Sequence, residues 1–139
     1  MTKKSTKANT QTNITKRADK IRDLLDSKKG ENIAIYDLEG KDYITQCVII
    51  ATALAGKHSF ALLDFLRSEL KPLGEVFYST DEESEDWIIA DLGEIMVHIF
   101  TENTRKRFNL EEFLESYFQA KSHNSHKSSE TNKRGQNAY

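Results

Sequence analysis

The residues whose types and spacing could do chemistry stand on two short segments either side of a turn. Residues 85–100 read EDWIIADLGEIMVHIF. Side chains alternate between the two faces of a β-strand, so Trp87 and Asp91 share one face, and Met96 and His98 share one face of the next strand. The opposite face of both segments is aliphatic. An indole, a carboxylate, a thioether and an imidazole together are neither ordinary core nor ordinary solvated surface.

The sequence carries no catalytic or metal-binding signature. It has no P-loop, no H-E-x-x-H and no G-x-S-x-G motif. His123 and His126 are three residues apart in a polar stretch, without the Cys or carboxylate pair that would complete a metal site. The lone Cys47 excludes an internal disulfide, and its apolar context predicts a core residue. We therefore expect no metal, no cofactor and no enzyme activity.

Charge is distributed unevenly along the chain. The net charge is −2, but residues 21–118 hold 20 acidic and 10 basic residues. Such an acidic body is repelled by phosphate backbones and favours a basic protein as its partner, although the basic ends allow peripheral contact with RNA.

No stretch of the signal-peptide type opens the chain, and no run of about 18 apolar residues occurs, so we expect a cytoplasmic protein without membrane contact.

Hydrophobic periodicity predicts how these residues are positioned. Residues 1–12 and 119–139 are polar and are expected to be disordered tails around one domain, residues 13–118. Within that domain the pattern predicts helix, two strands, helix, three strands, helix. The predicted helices span residues 14–30, 58–74 and 109–118, the last with Asn109 as N-cap. The predicted strands span 32–38, 46–53, 75–80 and the opening pair, with residues 81–86 as an acidic loop.

This element order predicts an α/β fold, a mixed sheet of about five strands with flanking helices. Because only two or three helices are available, one sheet face is expected to stay partly uncovered. If Trp87 and Met96 lie on that face, an apolar patch rimmed by acids forms a protein-binding surface. The alternative is that Trp87 caps a second small core. Asp91 has two interpretations as well, pairing with a partner or holding the turn before Glu94. His98 is expected to bind the partner or to serve as a hydrogen-bonded structural residue.

Two segments of the chain resemble the ribosomal silencing factor family, also called Iojap-like. Residues 86–100, DWIIADLGEIMVHIF, followed by RKRFNLE at 105–111, resemble its W-x-(hydrophobic)₂-D-(hydrophobic)-G-(D/E) segment and its R-x₂-(Y/F)-x-L-E segment. Upstream, residues 40–58, GKDYITQCVIIATALAGKH, resemble its G-K-x-x-I-T segment, which ends in a basic residue and His. The likeness runs from about Arg17 to Leu114.

The resemblance implies a factor that docks on the large ribosomal subunit, at ribosomal protein uL14, and sterically prevents the small subunit from joining when nutrients run short. It also implies a nucleotidyltransferase-like outline. Trp87 is then the expected anchor, with Met96 and Tyr43 as neighbours and Asp91 and Glu94 as acidic partners. Lys57 and His58 match the family's basic-His pair. The run Arg105 to Arg107 is expected either to contact ribosomal RNA or to lead into the last helix. The protein is expected to be a monomer or weak homodimer.

Other functions remain open from the sequence. A nucleotidyltransferase-like enzyme needs a Gly-Ser turn and paired carboxylate ligands, and residues 51–58, ATALAGKH, lack that turn. A dimeric adaptor for a non-ribosomal partner would use the same patch. The chain also departs from the family pattern, with Gln46 in place of Asp, Ala53 in place of Gly and Ala55 in place of Ser. Leu114, in place of Trp, keeps an apolar helix position apolar.

Overall fold

The chain folds into a five-stranded mixed sheet with helices packed on it, which confirms the predicted fold class. A computed structural model describes residues 7–41 and 43–122, with side chains from residue 13 to residue 116. In chain order the elements are α1 (Lys7–Ser27), β1 (Glu31–Asp37), β2 (Cys47–Ala53), α2 (Gly56–Leu70), a 3-10 turn (Lys71–Leu73), β3 (Ser79–Ser84), β4 (Trp87–Asp91), β5 (Ile95–Thr101), α3 (Glu102–Phe108) and α4 (Leu110–Ser122).

The strand order is β1-β2-β5-β4-β3. β2 and β5 are parallel, and the other three neighbouring pairs are antiparallel. A parallel pair needs a long crossover, which α2, β3 and β4 supply here. All seven residues of β2 are buried, as expected for a central strand covered on both sides. The edge strand β3 is polar and largely exposed.

The first face of the sheet, which we define as the face packed against α1 and α2, contains the main core. Its strand residues include the aliphatic side chains that the alternation places opposite Trp87. The helices contribute their own apolar stripes. Buried members of this core include Ile21, Leu25, Ile49, Leu62, Leu66, Ile88, Ala90, Ile95, Val97 and Ile99. The predicted division of the two strands into an aliphatic face and a mixed face is confirmed.

The second face, on the opposite side of the sheet, has a smaller core. It consists of Leu38, Val48, Ile50, Phe100 and Leu114. Tyr36, Tyr43, Trp87 and Leu110 are partly buried against it. Since Leu110 and Leu114 belong to α4, that helix covers the part of the second face nearest β1 and β2. The half-buried side chains of Ile89 and Met96 belong to neither core.

The predicted third strand, residues 75–80, is wrong in position. The strand runs from Ser79 to Ser84 and therefore takes in most of the acidic run predicted as a loop. Pairing with β4 decides this, because Ser79 lies opposite Asp91 and Asp81 lies opposite Ile89. An edge strand pairs on one side only, so acidic residues are tolerated there. Their charge also discourages pairing with another chain.

The helix boundaries also differ from the prediction. α1 begins at Lys7, within the segment 1–12 for which the sequence predicts no structure. A separate helix, α3, occupies residues predicted as a connection. Asn109 is not a conventional N-cap, because it has a left-handed backbone with φ 47° at the end of α3, and its side-chain amide donates to Glu112 Oε1 at 2.9 Å. Residues 123–139, including His123 and His126, lie outside the described part of the chain.

Arg105 attaches α3 and α4 to one end of the sheet. Its guanidinium donates to Glu111 Oε2 at 2.6 and 3.0 Å, to the Asn32 carbonyl oxygen at 2.7 Å and to Thr52 Oγ1 at 2.7 Å. The Arg105 side chain is only 12% exposed. Arg105 is therefore a structural residue within the basic run, whereas Lys106 is 74% exposed.

We expect Arg105→Ala to lower the free energy of unfolding by roughly 2–4 kcal/mol, because it leaves a carboxylate and a carbonyl without their charged donor. The matched control is Lys106→Ala, one residue along the same helix. Its ion pair with Glu102 is exposed, so the change should stay within about 0.5 kcal/mol. Urea unfolding followed by circular dichroism measures both. Equal effects would show that Arg105 does not anchor α3.

Candidate partner-binding face

Trp87 starts β4 on the second face and packs against the small core. Its ring centroid lies 4.9 Å from that of Phe100 and 4.8 Å from that of Phe108. The indole Nε1–H donates to His98 Nδ1 at 3.1 Å. Trp87 is half-buried. The geometry thus favours the interpretation in which Trp87 packs in a second core, while part of its ring still faces outward.

His98 lies beside Trp87 and is almost fully buried, with 5% of its surface exposed. Because Nδ1 accepts the indole hydrogen bond, the ring proton of neutral His98 belongs on Nε2. That Nε2 atom is buried and has no hydrogen-bond partner among the described residues. Burial lowers the pKa of His98 to about 4, so the ring is neutral near pH 7.

An apolar surface continues from Trp87 across β4 and β5. Ile89 lies opposite His98, and Met96 lies opposite Asp91. Both Ile89 and Met96 are half-buried, and the exposed Asp81 lies opposite Ile89 on the edge strand. We call these five residues the open half-face: Asp81, Trp87, Ile89, Asp91 and Met96. An apolar centre with an acidic rim is the composition expected of a protein-binding patch.

The two acids beside the turn each have an intramolecular contact. Asp91 Oδ1 accepts the backbone N–H of Gly93 at 2.9 Å, as in the interpretation in which it holds the turn. Gly93 has φ 91°, a conformation that favours glycine. Glu94 Oε1 accepts from Arg17 Nη1 at 3.1 Å, and its side chain is 48% exposed. Both acids therefore serve the fold, and Asp91, which lies opposite Met96, also places a carboxylate at the rim of the open half-face.

Tyr43 lies on the second face, at its α4 side. Its ring meets Phe113 edge to face, with the centroids 6.3 Å apart, and Tyr43 itself is half-buried. The neighbouring Ile44 is 78% exposed, and Phe113 is 51% exposed. Tyr43 thus adds apolar surface at the α4 side of the second face. The exposed Ile44 and Phe113 were not among the predicted partner-binding residues, because an apolar residue type does not by itself indicate exposure.

Lys57 and His58 are not brought together with these residues. They belong to the first turn of α2, which packs on the first face. His58 Nδ1 accepts the Leu54 N–H at 2.8 Å, and His58 Nε2 donates to the Lys28 carbonyl oxygen at 2.8 Å. His58 therefore joins the loop before α2 to the end of α1. Lys57 is exposed there.

The enzyme alternative would need a phosphate-holding turn in residues 51–58, which lead into α2. The N-cap of α2, Ala55, makes no side-chain capping bond. A methyl group added at Gly56 would lie 2.3 Å from the side chain of Glu85, so a carboxyl-bearing chain lies directly against this turn. Negative charge there opposes a bound phosphate. Across residues 7–41 and 43–122, no three His, Cys, Asp or Glu side chains are grouped to hold a metal ion.

No helix in the described part of the chain combines the length and apolar character needed to cross a membrane.

The fold and the open half-face define a mixed α/β domain with one partly covered sheet face. Comparison with known proteins then identifies its relatives. Residues 11–138 match the family model described as "Ribosomal silencing factor during starvation". The chain therefore belongs to the ribosomal silencing factor family, and the resemblance noted in the sequence is confirmed.

Individual relatives agree with this assignment. The chain is 36% identical over 92 residues to the ribosomal silencing factor RsfS of Haemophilus influenzae, covering 66% of this chain and 90% of that protein. It is 32% identical over 89 residues to the chloroplastic protein Iojap of Zea mays, covering 61% of this chain and 37% of that protein. A crystal structure of a Chromobacterium violaceum protein matches the fold with a TM-score of 0.70 at 23% identity, covering 73% of this chain and 86% of that one.

We expect the stability of the protein to fall between pH 6.5 and pH 4 in a way that depends on His98. The pKa of His98 is about 4 in the folded protein and 6.5 in an ordinary environment, so the unfolded chain takes up a proton first as the pH falls. The stabilisation present above pH 6.5 is lost toward pH 4 and amounts to roughly 2–4 kcal/mol.

The variant His98→Gln, whose amide does not titrate, isolates this contribution. Urea unfolding of both proteins at pH 7, 5.5 and 4 should show the native chain losing more stability than the variant across this range. Stability curves that run parallel for the two proteins would contradict the assignment of a buried neutral His98.

Proposed function

We propose that this protein represses translation by binding the large ribosomal subunit at ribosomal protein uL14 and sterically blocking small-subunit joining when nutrients are limiting. Membership of the ribosomal silencing factor family supports a ribosomal partner. The proposed mechanism needs no chemical step, because a bound domain excludes the other subunit by its own volume. The proposed site of action is the cytoplasm.

The observation that carries this proposal is the open half-face. Ile89 and Met96 present apolar side chains that neither core encloses, and the outer part of the Trp87 ring adjoins them. Aromatic residues and Met are enriched at the centres of protein interfaces. Trp87 is held in one orientation by Phe108 and by its bond to His98, so little side-chain entropy is lost when a partner packs on it.

Charge supports a basic partner. The acidic side chains of Asp81 and Asp91 border the apolar centre, and residues 21–118 have twice as many acidic as basic residues. Complementary charge raises the rate of association with a basic protein surface, and salt screens the effect. The basic ends of the chain supply the proposed peripheral contacts with ribosomal RNA.

The candidate residues differ in how much each contributes to folding, and this decides which of them gives a clear test of binding. Trp87 contributes to the second core, so removing it affects folding as well as binding. Glu94 pairs with Arg17, and Asp91 holds the Gly93 turn. Asp81 lies on the exposed edge strand, where its Oδ1 accepts the Glu83 N–H at 3.2 Å. Asp81 is therefore the position at which the rim charge can be changed with the least expected effect on folding.

We expect the full-length protein to sediment with purified large ribosomal subunits and not with small subunits. Adding the protein to a mixture of both subunits should reduce the fraction of joined ribosomes in a sucrose gradient. Crosslinking should identify uL14 as the neighbour of the open half-face. Equal sedimentation with both subunits would contradict the proposal, and formation of stable dimers without subunit binding would support the adaptor alternative.

We expect Asp81→Lys to weaken large-subunit binding roughly three- to tenfold at low salt, because it reverses a rim charge that steers a basic partner. The difference should shrink as salt rises. The matched control is Asp23→Lys, the same charge change on the exposed side of α1. Both variants should melt within a few degrees of the parent protein. Equal weakening by Asp23→Lys would show that net charge, and not the open half-face, determines binding.

A further inference from the structure

β1 forms one of the two edges of the sheet, and no strand in the described part of the chain pairs with its outer side. The Leu38 N–H donates to the Gln46 carbonyl oxygen at 2.8 Å, which fixes the phase of the β1–β2 ladder. Backbone groups alternate in direction along a strand, so Ala34 points its N–H and C=O toward β2, whereas Ile33 and Ile35 point theirs away from the sheet. The outer side of β1 therefore offers donors and acceptors to a further strand.

The two edges of the sheet differ in their protection against such pairing. β3 has acidic side chains along its length, whereas the centre of β1, residues 33–36, reads IAIY and has neither a charge nor a proline. Natural edge strands are usually protected by charged residues, by proline or by a covering element. All four central side chains of β1 are only half-buried. The β1 edge therefore has the properties of a strand-addition site.

The surface beside this edge is apolar at its centre on the first face. The side chains of Ile33 and Ile35 pack against the main core and are half-buried. A cavity of about 230 Å³ lies between β1 and α1, and its apolar lining includes Ile14, Ala18 and Ile35. Side chains on one face of neighbouring strands contact each other. A residue of an added strand that projects toward α1 therefore packs on aliphatic groups.

The surface beside the same edge is acidic on the second face. Tyr36 lies there, and its hydroxyl donates to Glu115 Oε2 of α4 at 3.4 Å. Burial, together with the charges of Glu115 and Glu111, raises the pKa of Tyr36 to about 12, so the field of these acids reaches the strand. The side chain of Glu115 is exposed. A residue of an added strand that projects toward α4 therefore meets negative charge.

A second copy of this chain fits the edge poorly. If two β1 strands paired antiparallel about Ala34, Glu31 of each copy would lie opposite Asp37 of the other. Like charges directly opposite each other destabilise a sheet. Residues 21–118 hold twice as many acidic as basic residues, so a strand with basic side chains is the better electrostatic match.

We propose that the β1 edge binds an extended segment of a partner protein in which apolar residues alternate with Lys or Arg. The backbone of the segment bonds to Ile33 and Ile35, its apolar side chains face α1, and its basic side chains face Glu115. The proposal does not rest on the ribosomal function, because β1 is at the opposite edge of the sheet from Asp81 and the open half-face.

The probe is a synthetic peptide of sequence KVKVKVK, acetylated and amidated at its ends. At saturating concentration it should slow amide hydrogen exchange of Ile33 and Ile35 in the isotope-labelled full-length protein by at least about tenfold, because their outward N–H groups become bonded. Ala34 is the internal control, since its N–H already bonds to β2 and should change much less. Protection that appears without peptide and rises with protein concentration would identify a second copy as the occupant and overturn the proposal.

Two control peptides distinguish strand pairing from general attraction to an acidic protein. The same peptide methylated at every backbone nitrogen keeps all side chains and charges but has no N–H to donate, so it should not bind. The peptide EVEVEVE keeps the donors and reverses the charge, so it should bind at least about tenfold more weakly at low salt. Equal binding of the methylated peptide would overturn the proposal, since charge alone would then account for the affinity.

Two variants of the protein test the edge itself. Ile35→Pro removes an outward N–H but no β1–β2 bond, and its ring obstructs an added strand, so binding should be lost. Because this variant also loses core packing, Glu115→Lys is the second test and should weaken binding roughly three- to tenfold. Glu69→Lys, the same charge change on the exposed side of α2, is the matched control. Unchanged binding in a folded Ile35→Pro variant, or equal weakening by Glu69→Lys, would overturn the proposal.

Discussion

The burial of β2 on both faces is the constraint on which the rest of the structure depends. Its seven residues, from Cys47 to Ala53, are all enclosed, so each side of the sheet needs a cover at this strand. α1 and α2 supply the cover on the first face, and Leu114 of α4 supplies part of it on the second. The cover on the second face does not enclose Ile89 and Met96 on the neighbouring strands β4 and β5. The uneven cover therefore produces both the small core and the open half-face.

The Trp87–His98 pair sits at the boundary between these two regions. On one side Trp87 packs on Phe100 and Phe108, and on the other it adjoins the apolar surface of Ile89. The bond from Trp87 to His98 Nδ1 orients the indole, and burial keeps the imidazole neutral. The same residue thus belongs to the core and to the proposed interface. A rigid aromatic side chain placed in this way loses little entropy on binding.

The turn before α2 bears on the enzyme alternative, and a fold alone does not assign a function. The turn before α2 lacks a side-chain cap, and Glu85 lies directly against Gly56. An acidic group at this position opposes the phosphate that a nucleotidyltransferase would have to hold. His58, which stands in the same turn, bonds to Leu54 and Lys28 and so connects α2 to α1. The residues of this region serve the fold, and the proposed binding chemistry lies elsewhere.

The sequence alone determined the features that follow from local periodicity and composition. The alternation around Trp87 and His98 placed them on the face opposite Ile88 and Val97, because the two-residue period of a strand depends on nothing outside it. The number of strands, the acidic body and the family membership were likewise predictable. The sequence did not decide between Trp87 as a free anchor and as a core residue, since that depends on Phe108.

Other features were decided only by the tertiary structure. The polar composition of the segment Ser79–Ser84 suggested a loop for most of it. The segment forms a strand because it pairs with β4. Arg105 resembled its neighbours in a basic run until the fold brought Glu111, Asn32 and Thr52 around it. A cavity lined by Ile14, Ile35 and Cys47 combines α1, β1 and β2, which are separated in the chain. Each of these depends on contacts between distant residues, and local periodicity carries no information about such contacts.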